Sequence, residues 1–211
     1  NEDLCVPLNK EIGLSDKMMK RATNAAVYAQ MEEDINKAIQ CFKAIGGEKT
    51  IFRPNLPSAY LLASRIALFQ EKYDVTILYC DSVFKVATQP LYKLQEKKDH
   101  YFFSLANKEI LLSYGLTSLE THMKEDFRYT GNLVVSDDLL ALYSEDDLRL
   151  TNYFKNTIGN QTRPTNKQYS VYTPIKWTKN SATVYANALR ISEAYLNRAE
   201  AFAELGNTNK A

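Results

Sequence analysis

The sequence predicts a mostly α-helical protein built from antiparallel helix pairs, with a long, irregular, loop-rich segment set between them. Three observations carry that expectation. Apolar residues from Ala22 to Phe42 recur every third or fourth position as one stripe. From Ala59 to Phe84 two such stripes follow each other across a short break. The stretch Ala188–Leu205 is dense in strong helix formers and stops at Gly206-Asn207.

Residues 1–14 read as irregular, with Pro7 and Gly13. A first helix is expected over 15–45, with Ser15 or Asp16 at its start, an apolar stripe through Ala22, Ala29, Ile35, Ile39 and Phe42, and Gly46-Gly47 as its stop. Thr50–Pro57 reads as a linker, because Pro54 and Pro57 oppose a continuous helix. Ser58 is the expected cap of the next helix, whose apolar face runs through Ala59, Leu62, Ala63, Ile66, Ala67 and Phe69. Tyr73-Asp74 breaks that pattern, and Val75, Ile77, Leu78, Tyr79, Val83 and Phe84 begin another. The whole of 58–86 therefore reads as an αα-hairpin.

The stretch 88–181 reads as an irregular insertion. Tyr101–Leu105 and Glu109–Tyr114 have the composition of short strands or helical turns, and Leu133-Val134-Val135 is brief and rich in β-formers. Ser136 is placed to cap a short helix from Asp137 to Tyr143, whose acidic first turn complements the helix dipole. From Asn156 to Ser181 the chain turns to Asn, Thr, Gln, Lys and Pro, a polar loop region with room for a strand around Tyr169–Trp177. A final helix is expected over 185–206, with Leu189, Leu196, Ala199 and Ala203 at helical spacing.

The bulk figures exclude several function classes. At 211 residues, 45% apolar and 24% charged, the chain can bury an ordinary core. With 26 Lys and Arg against 25 Asp and Glu, it has no global field to draw nucleic acid or an anionic membrane. Three cysteines (Cys5, Cys41 and Cys80) form no C-x-x-C, so zinc-ribbon and thioredoxin-like chemistry is not expected, and Cys41 and Cys80 sit in helical patterns as small hydrophobes. The acidic start lacks the basic and apolar regions of a signal peptide, and no run of 18 apolar residues occurs.

Nor do the motifs of catalysis appear. His100 and His122 are the sole histidines and have no metal-ligand spacing, and neither a nucleophile elbow nor a phosphate-binding loop is present. No catalytic, metal-binding or cofactor-binding residue is therefore expected. Glu145, Asp146 and Asp147 read as a solvated helix end, with Asp147 and Arg149 held by a charge-assisted hydrogen bond. Glu193 and Glu200, seven apart on one helix side, read as polar ties.

A repeat sharpens the fold. Tetratricopeptide helix pairs place small residues at positions 8 and 20, so that helices approach closely, and a turn near position 15. Aligned on Gly206, the last segment puts Ala199 at 8, Phe202 at 11 and Ala211 at 20. Aligned on Tyr73, the middle segment puts Ser64 at 8, Ala67 at 11 and Ile77 at 21. The last helix lacks the second arm of its pair, so the chain is expected to be an internal fragment of a longer protein and only marginally stable by itself.

Arg190–Asn207 also resembles the R-x-x-E-x-x-L-x-x-A-E-A-x-x-x-x-G helix of SusD/RagB-like proteins. Further blocks follow that family's order: Val6-Pro7-Leu8; Arg21-Ala22-Thr23 with Val27–Ala38; the pair Ala59–Phe84 with its Y-D-x-x-I turn; Lys108–Leu111; and Ser136–Tyr143 with Asp147-x-Arg149. One departure is Glu71-Lys72, where the family's middle turn carries Gly. The resemblance implies a SusD-like α-helical fold in which tetratricopeptide-like pairs support an irregular ligand-facing half. It also implies a non-catalytic lipoprotein on the outer face of the bacterial outer membrane that binds an oligosaccharide or related nutrient and serves a TonB-dependent transporter.

For such a ligand the candidate contacts are Tyr169, Tyr172 and Trp177. A broad aromatic face covers the C–H face of a pyranose, and nearby Asn, Gln and Lys offer hydrogen bonds to hydroxyls. Arg128 and Tyr129 are secondary candidates. Two other readings stand beside this one: Trp177 as an anchor holding a loop to the helical scaffold, and the whole chain as a tetratricopeptide-type adaptor that takes a peptide in a helical groove.

Overall fold

A computed structural model describes residues 3–13, 18–46, 50–91, 108–113, 135–159, 169–174 and 188–211, with positions 151, 155–159 and 169–174 described by backbone alone. The chain divides into two compact units, residues 1–88 with 189–211, and residues 89–188.

The first unit is helical. Its entry is a small antiparallel ribbon of β1 (Leu4–Pro7) and β2 (Arg21–Thr23), with Leu4 opposite Thr23 and Pro7 opposite Arg21. The Arg21 guanidinium donates to the carbonyls of Cys5 (2.6 Å) and Leu4 (2.5 Å), tying the ribbon. Helix α1 (Asn24–Ile45) starts nine residues later than the Ser15 start expected from sequence. The reason is local: residues 21–23 give their backbone to β1, and Thr23 then accepts from the Ala26 amide at 3.2 Å as the true cap. Gly46 ends the helix in the left-handed region at φ 57°, where a residue without Cβ is unstrained.

Helix α2 (Leu56–Phe69) is the centre of the unit, with nine of its fourteen residues buried. Its cap is Asn55, not Ser58. Asn55 Oδ1 accepts from the Ser58 amide and Ser58 Oγ accepts from the Asn55 amide, both at 3.0 Å, so Ser58 is the third residue of a capping box. Pro57 lies inside the first turn rather than in a linker, because an amide there would have no intrahelical acceptor. The helix breaks at Gln70–Lys72, ahead of the expected Tyr73-Asp74, and Tyr73 opens α3 (Tyr73–Val86). Helix α3 buries Thr76, Cys80 and Val83, while Leu78, expected on its apolar face, is 66% exposed. Cys41 is exposed on α1, so of the two helical cysteines only Cys80 packs as a small hydrophobe.

The closing helix (Ile191–Glu204), preceded by β6 (Ala188–Arg190), packs on α3 and α2. Its inner face is Ile191, Ala194, Asn197 and Ala201. Leu196 is 70% exposed and Ala203 is also outside, which corrects the stripe expected through them. Small residues on both sides let the helices approach closely, as the repeat reading requires, although Ala199 itself is only half-buried. Polar ties cross the seams. Asn197 Nδ2 donates to Ser64 Oγ, Arg65 grips Glu193 in a two-pronged pair at 2.7 and 2.8 Å, and Arg198 bonds Asp81 at 2.7 Å. Arg198 also lies over the rings of Phe84 and Phe202, and Phe84 meets Tyr195 with centroids 4.3 Å apart. Glu193 is therefore a tie, as expected, whereas Glu200 is exposed.

In the second unit, β3 (Ile110–Ser113) is buried along its whole length. Helix α4 (Asp137–Leu140) is capped by Ser136, which accepts from the Leu139 amide at 3.2 Å. Helix α5 (Leu148–Tyr153) is capped by Asp147, and it runs into a regular antiparallel hairpin of β4 (Phe154–Gly159) and β5 (Tyr169–Pro174), with Phe154 opposite Pro174 and Gly159 opposite Tyr169. The sequence read 156–159 as loop. Paired backbone overrides the weak strand propensity of Asn156 and Gly159. Tyr101–Leu105 and Leu133-Val134 lie outside the described residues. With the closing helix numbered α6, the mostly helical class expected from sequence holds.

Candidate functional site

The sequence-derived aromatic candidates fall on the β4–β5 hairpin and beyond it. Tyr172 pairs with Asn156 and Tyr169 with Gly159. Both tyrosines thus lie on β5, three positions apart. Trp177, Arg128, Tyr129, His100 and His122 lie outside the described residues.

Beside the hairpin, α5 and its approach form a fixed polar corner. Asp147 accepts from the Arg149 backbone amide at 2.8 Å and from its guanidinium at 2.6–3.1 Å, which holds the Asp147 carboxyl below the usual carboxylate range. Arg149 also stands 5.0 Å over the Tyr143 ring, and Tyr143 meets Phe154 edge-on at 5.6 Å. Glu145 and Asp146 are exposed in the preceding turn. These groups cap and brace; the carboxylate of Asp147 is fully engaged.

Among the described residues of the helical unit, clefts open at opposite ends of the α1–α2 pair. The larger, about 1040 Å³, opens where α1 ends, α2 begins and α3 ends. Its charged lining residues, Arg53 and Lys85, are both cations, set among Phe42, Ile45, Asn55 and Thr88.

The smaller, about 610 Å³, opens between the first half of α1 and the α2–α3 turn. Asn24, Tyr28 and Glu32 stand four apart on one side of α1, so the helix period delivers all three to the cleft. Phe69, Gln70, Glu71 and Lys72 line it from the turn. Glu32 accepts from Lys72 Nζ and from Gln70 Nε2 (2.8 Å), and the Lys72 ammonium, followed by the Gln70 amide, holds its carboxyl below the usual range. Glu71 is in the left-handed region at φ 59°, and Phe69, expected in the apolar face of α2, is 73% exposed. Helical periodicity places Phe69 on the core face of α2, which hides this group in the sequence. The signals that point to it are the four-residue spacing of Asn24, Tyr28 and Glu32 and a glutamate in a turn that favours glycine.

Burial pushes the Cys80 thiol up to about 11, so it stays protonated at neutral pH. Among the described residues no group of His, Cys, Asp and Glu is arranged to hold a metal ion, and no helix is long and apolar enough to cross a membrane.

A family model described as the SusD family matches residues 93–211, more than half of the chain. No curated protein matches. Solved structures do. A SusD superfamily protein from Bacteroides thetaiotaomicron superposes with a TM-score of 0.73 at 21% identity, covering 98% of this chain and 49% of that one. A SusD-like carbohydrate binding protein from Bacteroides vulgatus gives 0.68 at 17% identity, with 99% and 46% covered. A SusD-like protein from Bacteroides fragilis gives 0.66 at 17%, with 97% and 54% covered. The chain thus spans about half the length of these structures, and the likeness establishes a shared fold.

Proposed function

The chain belongs to the SusD family, and we propose on that ground that it takes part in non-catalytic glycan binding at the bacterial cell surface and in delivery of the glycan to a TonB-dependent outer-membrane transporter. The observation that carries this reading is the family match itself: residues 93–211 include Tyr169, Tyr172 and Trp177, the aromatic positions suited to stack on a sugar ring. In this reading helices α1, α2, α3 and α6 are the scaffold, and 88–181 supplies the ligand-facing surface. The protein is held to the external face of the outer membrane by a lipid anchor, and partner enzymes do the cutting. The carbohydrate-binding description of the Bacteroides vulgatus protein supports the choice of ligand class.

A glycan array probed with the protein, followed by calorimetric titration of the best oligosaccharide, tests the reading. Selective binding of one oligosaccharide class, lost in Trp177→Ala and weakened in Tyr172→Ala, is the expected result. Absence of binding to every glycan, with capture of a peptide instead, replaces it with the adaptor function.

A further inference from the structure

We propose that the 610 Å³ cleft between α1 and the α2–α3 turn is a second saccharide subsite, for a neutral pyranose, within the helical unit. It rests on the glycan-binding reading but uses none of the residues that reading names.

Phe69 closes α2 with most of its side chain exposed, although Ile66, one turn earlier on the same helix, is buried. An apolar plate at the edge of a concave surface is what the C–H face of a sugar ring requires. Beside it, the Asn24 amide, the Tyr28 hydroxyl and the Glu71 carboxylate make no side-chain hydrogen bond among the described residues, yet all three line the same cleft. Together they offer donors and acceptors in the mixture that vicinal hydroxyls satisfy.

Two further features set this group apart from an ordinary surface. Glu71 occupies a left-handed backbone position, where every side chain is strained and glycine is not, so the fold itself gains nothing from a glutamate there. The turn that carries Phe69 and Glu71 is also clamped to α1, because Glu32 holds both Gln70 and Lys72. The site is rigid before a ligand arrives, which spares the ordering cost of binding. Charge selects the ligand class: Glu32 and Glu71 against Lys72 leave one net negative charge, which disfavours uronic acids and sulfated sugars.

Calorimetric titration of the full chain with neutral gluco-, xylo-, manno- and galacto-hexasaccharides, and with hexagalacturonate as the acidic control, tests the inference. Phe69→Ala and Glu71→Gly should each weaken binding of the preferred neutral hexasaccharide by about tenfold or remove one of two binding events. Glu71→Gly should at the same time raise the melting temperature, since it relieves the backbone strain. Affinity and stability then move in opposite directions, which a purely structural role does not produce. Binding that is lost in Trp177→Ala but unchanged in both cleft variants overturns the subsite and leaves the glycan function standing. Preference for hexagalacturonate overturns the neutral class, and failure of every hexasaccharide to bind the unaltered protein overturns subsite and function together.

Discussion

Asn197 and Ser64, 133 positions apart in the chain, meet in the seam between α6 and α2, where Asn197 Nδ2 donates to Ser64 Oγ at 3.2 Å while Ser64 donates to the Leu61 carbonyl at 2.7 Å. Both residues are buried. Ser64→Ala strips a buried amide of its acceptor and should lower unfolding free energy by roughly 1–3 kcal/mol. Urea denaturation of Ser64→Ala, Asn197→Ala and the double variant measures it. A coupling energy indistinguishable from zero would show that the bond does not hold the seam.

The Arg65–Glu193 pair lies at the rim of the same seam, with side chains 41% and 25% exposed. Solvent discounts its strength, and Glu193→Gln should cost about 1 kcal/mol or less in dilute buffer. Because salt screens such a pair, the gap between wild type and variant should narrow in 1 M NaCl. An unchanged gap would assign Glu193 a packing role instead.

Cys80 carries a pH signature. Its thiol titrates near 11 in the folded chain against an ordinary value of 9.0, because burial disfavours the thiolate. A raised folded-state value contributes stability that is complete below about pH 9 and is lost as pH climbs through about 11. Thermal melts from pH 8 to 11 should therefore fall more steeply for wild type than for Cys80→Ala. Maleimide labelling at pH 7 should modify exposed Cys41 first and reach Cys80 only in denaturant.

The capping box at Asn55 and Ser58 starts a helix with nine of its fourteen residues buried. Asn55→Ala should destabilise by roughly 1–2 kcal/mol, and Asn55→Asp by much less, since aspartate caps equally well. Equal losses in the two variants, read from denaturant midpoints, would mean that the amide of Asn55, which also donates to the Thr50 and Arg53 carbonyls, matters more than the cap.

What periodicity encodes was legible in the sequence, and what depends on a neighbour was not. The stripes of α1, α2 and α3 announced themselves because each helix buries one side. Their starts did not, because Ser15, Ser58, Asn55 and Thr23 are all competent caps, and the choice is made by β1 pairing with residues 21–23 and by the Asn55–Ser58 exchange. Strand β4 was hidden because Asn156 and Gly159 look like loop until a partner strand satisfies them. At the site level, composition pointed to tyrosines 169 and 172, and both fall on β5. The cleft group at Asn24, Tyr28, Phe69 and Glu71 is assembled by the meeting of two helices, information no single segment contains.

The face of α3 that carries Asp81 and Phe84 is covered by Arg198 and Tyr195 of α6, whose first residue is Ile191. About a hundred residues separate the two, so a ribosome working at roughly 5–20 residues per second leaves that face naked for something like ten seconds. The helical unit cannot finish folding in the order in which it is made. Newborn chains must hold an oily surface in reserve, and helper proteins that shield such surfaces have their window there. Slowing or hastening synthesis across residues 89–188 should change the soluble yield of this protein without altering one contact in its final form.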